Sequence, residues 1–273
     1  LMCSGVAVGE AGMAEKDREE SVSLTDTYIQ SNQPEGVPAL ELTGERTLPD
    51  VPEENYWYRR HLVVYEWIAE RVRGLKVADL ACGEGYGSGI LGTAAAEVIG
   101  VDANPEAFEH ASAKYTTDRV TFRRELVESF SEPRDAIVFL QTIEHVQDPD
   151  SLVAGFAKTA PVAYISTPNL LTLAPEGAEK SDNPWHIKEY RLEEFRALLE
   201  PHFARVEILG LHHAGKLKVH ELALSLGWDR VHKSLGLSKP FYDRFTPAID
   251  ASDFRLSNHN LESSLDFLAV CHV

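Results

Sequence analysis

The glycine-rich segment 77–91 (VADLACGEGYGSGIL) constrains the fold more than any other part of the chain. An apolar run leads into three closely spaced glycines, Gly83, Gly85 and Gly87, and a helix-like pattern follows them. This order predicts a strand, a tight turn and a helix. Open α/β sheets bind nucleotides at such turns, at the carboxyl ends of their strands. The segment therefore predicts an α/β domain with a ligand site at this turn.

Strand and helix patterns alternate along most of the remaining sequence. Six apolar runs begin near residues 75, 97, 120, 135, 162 and 204, with helical segments between most of them, and a closing run follows at 263–273. Continuous apolar strands separated by helices predict a mostly parallel, Rossmann-like sheet with helices on both faces. A further helix is predicted at 55–72, before the first strand, and Gly74 is its expected stop.

Two segments depart from this alternation. Residues 1–41 are small, polar and acidic without periodicity, which predicts an N-terminal tail in front of a domain over 42–273. Residues 214–262 combine helical patterns with aromatic and proline-containing runs. They predict a helical insertion, or lid, before the last strand, near the edge of the sheet where ligands bind. The helix pattern within it is equally compatible with a homodimer contact.

Charge and cysteine content narrow the classes of partner. The net charge of −17 opposes binding to nucleic acid and to anionic membranes, although it does not exclude a local basic patch. No apolar run approaches the about 18 residues of a membrane span. The three cysteines suggest no disulfide framework, and the first residues lack a signal-peptide pattern. We therefore expect a cytoplasmic protein that acts on a small molecule, with neither nucleic acid nor membrane as a partner.

The acidic residues around the glycines indicate which ligand the turn accepts. A dinucleotide loop reads G-x-G-x-x-G, but Ser88 occupies the third glycine position, and Asp79 and Glu84 would repel a pyrophosphate. No Gly-Lys-Ser/Thr follows, so a P-loop is excluded. Asp102 ends the next strand, where an acid accepts hydrogen bonds from a ribose diol. A nucleoside without phosphates and with positive charge fits these residues, which indicates S-adenosylmethionine.

Four segments, VADLACGEGYG, VIGVDANPEAFEHA, FLQTIEHVQDPDSLV and YISTPN, resemble class I S-adenosylmethionine-dependent methyltransferases in order and spacing. The resemblance covers about 59–209 together with the closing strand. It implies a Rossmann-like sheet of seven strands, mostly parallel, with an antiparallel last strand. The segments LTGERTLPD…NYWYRRH and STPN…NPWHIKEY are similar, more loosely, to bacterial small-molecule O-methyltransferases, including enzymes that act on sugars of polysaccharides. The chain lacks their usual Pro-Gly-Gly turn before the fifth strand, which affects no cofactor contact.

The class I resemblance also implies roles for individual residues in holding the cofactor. Arg60 (or Arg59) is expected at the cofactor carboxylate, and the methionine part is expected to contact Asp79, Gly83, Gly85 and Gln141. Asp102 is expected at the ribose. The residues expected at the adenine are Ala103, Glu125 and Leu126. The alternative for the two arginines is a solvated helix face.

Two histidines are the candidates for acid–base chemistry. His145 follows the fourth strand, where a neutral imidazole could take the proton of an attacking hydroxyl, with Glu144 or Asp148 orienting its ring. His186 lies in the polar and aromatic loop after the fifth strand. The alternatives are a structural histidine at a helix start for His145 and a loop histidine bonded to a backbone carbonyl for His186.

The predicted activity is methyl transfer to a hydroxyl of a sugar or related metabolite, with S-adenosylhomocysteine as the product. The alternatives are C- or N-methylation of a quinol or secondary metabolite, and a non-catalytic cofactor-binding partner subunit. No resident metal is expected, because His212, His213 and His220 do not have the spacing of a tetrahedral site. A magnesium site built from Glu144, Asp148 and a substrate diol is the alternative.

Overall fold

A computed structural model describes residues 30, 33–42, 46–175 and 177–273. In this part of the chain one sheet contains all the strands, in the order β3-β2-β1-β4-β5-β8-β6-β7. The strands are β1 Lys76–Leu80, β2 Glu97–Asp102, β3 Val120–Arg124, β4 Ala136–Leu140, β5 Val162–Pro168, β6 Arg205–His213, β7 Phe254–Ser257 and β8 Asp266–His272. Strands β1 to β5 pair in parallel, while β8 lies antiparallel between β5 and β6. The predicted α/β fold with an antiparallel last strand is confirmed.

The strand count differs from the prediction, with eight strands instead of seven. The additional strand is β7, which lies inside the segment 214–262 predicted as a helical insertion. Phe254 is buried and Arg255 is exposed. The strand pairs antiparallel with the end of β6. Its apolar–polar alternation is typical of an edge strand, but four residues are too few for the pattern to be separated from the surrounding helical signals.

Helices cover both faces of the sheet, as the alternation predicts. They are α1 Asn55–Ala69, α2 Tyr86–Gly92, α3 Pro105–Tyr115, α4 Pro149–Thr159, α5 Leu170–Leu173, α6 Leu192–Leu199, α7 Gly215–Ser225, α8 Trp228–Ser234 and α9 Ser238–Phe245. On one face, Val77 and Val138 of the sheet share a core with Ile68 of α1. On the other, Ile137 and Phe139 share a core with Phe156 of α4. None of the described helices has the length and apolar character needed to cross a membrane.

The carboxyl ends of the central strands meet at one edge of the sheet, because β1, β2, β4 and β5 are mutually parallel. Strand β6 runs in the same direction, since both β5 and β6 are antiparallel to β8. The insertion therefore leaves the sheet at this same edge, after His213. The later part of the insertion is bound to α1. The Asn55 side chain of α1 donates to the carbonyls of Thr246 and Ile249, both at 2.8 Å.

The described portion of the predicted tail packs on the domain. Leu40 is buried with Leu48 and Val51. The ring of His110 in α3 donates to the carbonyl of Pro38 through Nδ1, at 2.5 Å. Residues 1–29, 31 and 32 of the predicted tail lie outside the described residues.

Candidate active site

A cavity of about 450 Å³ opens at the carboxyl edge of the sheet. The glycine turn after β1 and Asp102 at the end of β2 line one end. Gln141, His145 and Ser166, from β4, the segment after it and β5, line the other. The cavity therefore joins the turn that predicts a nucleoside site to the segment that carries the leading candidate base.

The glycine turn is a left-handed bend that admits few side chains. Ala81, Gly83 and Gly85 have φ angles of 57°, 56° and 96°. A Cβ on Gly85 would lie 2.7 Å from the Cβ of Ala111, so α3 packs directly on this backbone. Because Ala81 also adopts a conformation that costs energy for a residue with a side chain, the turn holds a strained shape against the cavity.

Asp102 fixes this turn to the end of β2. Its two carboxylate oxygens accept from the backbone N–H groups of Gly83, at 2.8 Å, and Asn104, at 2.9 Å. The side chain is partly exposed and lies in the cavity wall. The structure thus brings Asp102 and Gly83 together, and each carboxylate oxygen retains lone-pair capacity toward a ligand hydroxyl. The ribose contact of Asp102 stays a prediction.

The carboxylate of Glu84 does not face the ligand, contrary to the expectation from its place between the glycines. It is buried and accepts hydrogen bonds from His110, at 2.9 Å, Lys114, at 2.7 Å, and the Tyr115 hydroxyl, at 2.9 Å. All three donors lie on α3. Because a buried carboxylate needs paired donors, these long-range contacts turn Glu84 into an anchor between the glycine turn and α3.

Asp79 lies fully buried beneath the turn. Its oxygens accept from the hydroxyls of Ser88, at 2.6 Å, and Tyr65, at 3.3 Å. Burial raises the pKa of Asp79 to about 7, against the lowering effect of these two hydrogen bonds. No basic side chain pairs with it in the described part of the chain. The site therefore contains a buried carboxyl whose ionisation a nearby positive charge would favour.

Arg60 does not reach the cavity, so the structure does not place it where the cofactor carboxylate was expected. Its guanidinium is buried in a two-pronged ion pair with Asp266 of β8, with Nε donating at 2.7 Å. It also stacks on the Trp57 ring, at 4.9 Å. Arg46, from the loop before α1, lines the cavity instead, and its Cβ approaches the Gly83 position.

The residues predicted at the adenine end lie outside the cavity. Ala103 is exposed, Leu126 is 61 % exposed and Glu125 is half-buried. Glu125 is linked to the site through its backbone N–H, which donates to the carbonyl of Asp102 at 3.2 Å. Their contact with adenine remains a prediction.

Gln141 lines the cavity, and its contact with the methionine part of the cofactor stays a prediction. It has a φ of 52° and its side-chain amide donates to the Ser166 hydroxyl, at 3.0 Å. Its backbone N–H donates to the Ser166 carbonyl, at 3.1 Å. A left-handed glutamine is uncommon, and strained residues of this kind concentrate at functional sites.

His145 has one ring nitrogen bonded to the backbone. Its Nδ1 lies 2.9 Å from the carbonyl of Trp185, which can only accept, so Nδ1 carries a proton and the neutral tautomer has its lone pair on Nε2. His145 and Trp185 both line the cavity. Asp148, rather than His145, caps the following helix, because its carboxylate accepts from the N–H of Ser151 at 3.1 Å.

His186 packs behind His145 and does not line the cavity. The two rings meet edge to face with centroids 4.9 Å apart. His186 Nδ1 donates to Glu189, at 2.6 Å, and Nε2 accepts from the Asn183 amide, at 3.0 Å. Burial lowers the pKa of His186. This arrangement fits a role for His186 in orienting the His145 ring better than a role in contacting an acceptor.

Glu144, His145 and His186 bring three ligand atoms within 4.8 Å of one another. Burial raises the pKa of Glu144 to about 8, and its carboxylate accepts from the Thr167 hydroxyl at 3.1 Å. Two imidazoles suit transition metals better than magnesium. Asp148, the second member of the predicted magnesium set, is not part of this cluster. The oxygen-rich site expected from Glu144 and Asp148 is therefore not assembled by the described residues.

The sequence analysis did not predict several residues that line the cavity. His61 and Tyr86 line the cavity together, and the Tyr86 hydroxyl and His61 Nδ1 are hydrogen-bonded at 3.3 Å. Burial lowers the pKa of His61 to about 4, so this imidazole is neutral. Asp266 also lines the cavity. These three residues come from α1, α2 and β8, and only the packing of these elements brings them together. Local sequence patterns do not predict that packing. Residues 214–262 contribute no side chain to the cavity wall, so a lid role for them stays a prediction.

Comparison with known proteins places this site in a family. Residues 77–161 match the family description "Methyltransferase domain". The chain is 40 % identical to a probable S-adenosylmethionine-dependent methyltransferase of Mycolicibacterium smegmatis, over 85 % of this chain and 95 % of that protein. A probable S-adenosylmethionine-dependent methyltransferase of Mycobacterium tuberculosis is 37 % identical, over 66 % of this chain and 67 % of that protein. Among solved structures, a methyltransferase of Thermotoga maritima described as a possible histamine N-methyltransferase shares the fold. The two structures superpose with a TM-score of 0.52 at 13 % sequence identity. The match covers 81 % of this chain and 94 % of the Thermotoga maritima chain.

Proposed function

The chain belongs to the S-adenosylmethionine-dependent methyltransferases, and from this premise we propose that it methylates a hydroxyl group of a sugar or related small molecule. The observation that carries the proposal is the lone pair of His145 Nε2 in a cavity that also contains the glycine turn. A base at this place suits a hydroxyl acceptor, because the hydroxyl loses a proton as its oxygen forms the new bond.

The cavity residues fit S-adenosylmethionine. Gly83 in the left-handed turn places no Cβ between its backbone and the cavity, whereas the missing Cβ of Gly85 makes room for α3, and Asp102 is positioned for a ribose diol. Arg60 is paired with Asp266, so we assign the contact with the cofactor carboxylate to Arg46, which lines the cavity. When bound, the cofactor supplies an activated methyl group on a positively charged sulfur. The buried carboxyl of Asp79 matches that sign of charge.

The protein's contribution to the reaction is positioning and proton transfer. Ser166 holds the strained Gln141 at the cavity, and the Trp185 carbonyl keeps the His145 proton on Nδ1. His145 Nε2 is thereby ready to accept the hydroxyl proton. Alignment of reacting groups contributes up to roughly 7–11 kcal/mol and a general base about 10²–10⁴-fold in rate. His186 acts as a positioning residue through its ring contact with His145.

The acceptor end of the cavity supports a sugar. Thr142 and Ser166 contribute hydroxyls, while Trp185, which is 46 % exposed, offers an aromatic face. Polyhydroxylated acceptors need several hydrogen-bonding partners, whereas a quinol ring needs a more apolar pocket. The cavity with His145 at its wall also favours an active enzyme over a non-catalytic partner subunit.

An acceptor screen tests this proposal. Sugars, glycosides, phenols and quinols are incubated with the protein and S-adenosylmethionine, and S-adenosylhomocysteine is measured. We expect turnover with sugars or glycosides. Turnover confined to quinols or amines would overturn the proposed acceptor class, while calorimetric binding of S-adenosylhomocysteine would still report on the cofactor site independently of the acceptor.

A further inference from the structure

An exposed apolar stripe runs along α7 and α8. On α7 and its last turn, Val219, Leu222 and Leu226 are 61–79 % exposed, with the i, i+3, i+7 spacing of one helix face. Trp228, Val231 and Leu235 repeat this spacing along α8, at 40–63 % exposure. We call these six residues the outer stripe. Contiguous exposed apolar surface of this kind indicates an interaction site.

A buried aromatic cluster lies beside the outer stripe on the same helices. His220 and His232 are buried and stack on Phe241 of α9, with centroids 5.6 and 5.7 Å apart. This aromatic cluster already fills the inner side of α7 to α9. Trp228 borders this cluster, with its ring centroid 5.7 Å from that of His232 and 6.4 Å from that of Phe241. The other five residues of the outer stripe remain 45–79 % exposed.

The charge around the outer stripe is opposite to that of the whole chain. Residues 215–245 carry six basic and three acidic side chains, whereas the chain has a net charge of −17. One of the six, Lys216, forms ion pairs with Asp250 and Asp253 outside this range. Lys218, Lys233 and Lys239 form ion pairs within their helices, but their side chains are 48–86 % exposed. Exposed pairs are weak, so these cations can also meet an external anionic surface.

We propose that the outer stripe and its surrounding lysines and arginines dock this methyltransferase on an anionic lipid membrane surface. Amphipathic helices with apolar and tryptophan side chains on one face and cations beside them lie in the lipid interface. A second copy of the chain is a poorer match, because a two-fold interface would set the basic segment against itself. The overall negative charge still repels the rest of the molecule from such a membrane, which restricts contact to this segment.

The docking segment is joined to the edge of the sheet that holds the cavity. α7 follows directly on β6, whose end lies at that edge, and Asn55 fastens the far end of the insertion to α1. Docking would therefore hold the cavity-bearing edge close to the lipid surface. The inference goes beyond the proposed function and does not require the proposed acceptor, because lipid binding is measured without turnover.

Sedimentation with vesicles tests the proposal. The full chain is mixed with vesicles of phosphatidylcholine alone or of phosphatidylcholine with phosphatidylglycerol. We expect binding to the anionic vesicles only, weakening as salt is added. Arg230→Glu with Lys233→Glu should lower the partition coefficient by at least about 25-fold, since each cation near such a surface contributes about fivefold (~1 kcal/mol). Leu222→Ser should lower it by about tenfold or more.

Matched controls separate docking from general damage. Val273 is 62 % exposed at the end of the chain, away from the outer stripe, and Val273→Ser should bind vesicles like the unmodified protein. Quenching of tryptophan fluorescence by brominated lipid should disappear in Trp228→Phe. Absence of binding to anionic vesicles, or equal binding by the Leu222 and Val273 variants, would overturn the proposal. A dimer in sedimentation equilibrium that Leu222→Ser dissociates, without vesicle binding, would assign the stripe to a second copy.

Discussion

Replacing Asp79 with asparagine should stabilise the cofactor-free protein at alkaline pH and lower its affinity for the cofactor. The Asp79 carboxyl is fully buried, and its partners are the hydroxyls of Ser88 and Tyr65. An asparagine side chain has the same shape and can keep both hydrogen bonds, since each hydroxyl can donate or accept. The substitution therefore removes the ionisation with little change in packing.

The size and sign of the effect follow from the pKa of Asp79, which burial raises from 3.8 to about 7. Between these two values the folded chain keeps a proton that the unfolded chain has lost. The stabilisation is complete below pH about 3.8 and is lost as pH rises through about 7. The slope is about 1.4 kcal/mol per pH unit. From pH 5 to 8, the free energy of unfolding should fall relative to Asp79→Asn by at most ~3 kcal/mol.

Urea denaturation of both proteins at pH 5 and pH 8, without cofactor, measures this difference. The difference between the two proteins is the relevant quantity, because burial also raises the pKa of Glu54 to about 7 and that of Glu144 to about 8. Asp118→Asn, an exchange at an exposed turn, is the matched control and should show no such trend. A constant difference between wild type and Asp79→Asn at all pH values would refute the reasoning.

Cofactor binding should couple to the same proton. A positive ligand near Asp79 favours its ionised form, so calorimetry at pH 7 in two buffers of different protonation enthalpy should show proton release. The release should be reduced in Asp79→Asn, together with the affinity for S-adenosylhomocysteine. Equal proton release in both proteins would assign it to another group.

Three further predictions concern the rest of the site. Asp102→Ala should weaken S-adenosylhomocysteine binding by about 1–3 kcal/mol in calorimetry, through the lost charge-assisted hydrogen bonds, and NAD should not bind tightly. Arg60→Met should destabilise the protein by about 3–5 kcal/mol in urea denaturation, because Asp266 is left buried and unpaired, whereas a second change of Asp266→Leu should recover part of the loss. Chelation with EDTA should leave turnover unchanged; a loss restored by zinc or manganese would make His145 a metal ligand instead of a base.

The sheet and the ends of its central strands could be predicted because their determinants are local. The apolar runs of β1, β2, β4 and β5 predict buried strands. The glycines after β1 and Asp102 at the end of β2 indicate, by their spacing alone, the edge of the sheet where the ligand binds. Edge strand β7 was missed because its four residues give too short a pattern.

Partners distant in sequence could not be predicted. Arg60 and Asp266 are 206 positions apart, and only the packing of α1 on the sheet brings them together. The same holds for Glu84, whose carboxylate is directed by three donors from α3 rather than by its place between two glycines. In both cases, the sequence shows a charged residue near the site, and the long-range partner decides whether that charge faces the ligand.

The most direct test of the account follows a labelled methyl group in a single turnover. S-adenosylmethionine with a ¹³C-methyl group is mixed with excess protein and an accepted sugar, and NMR identifies the atom that receives the label. The account predicts an O-methyl product and a rate that falls by roughly 10²–10⁴ in His145→Ala with cofactor affinity intact. His186→Ala should cost less. Label on nitrogen or carbon, or a His145→Ala enzyme as fast as the unmodified one, would contradict it.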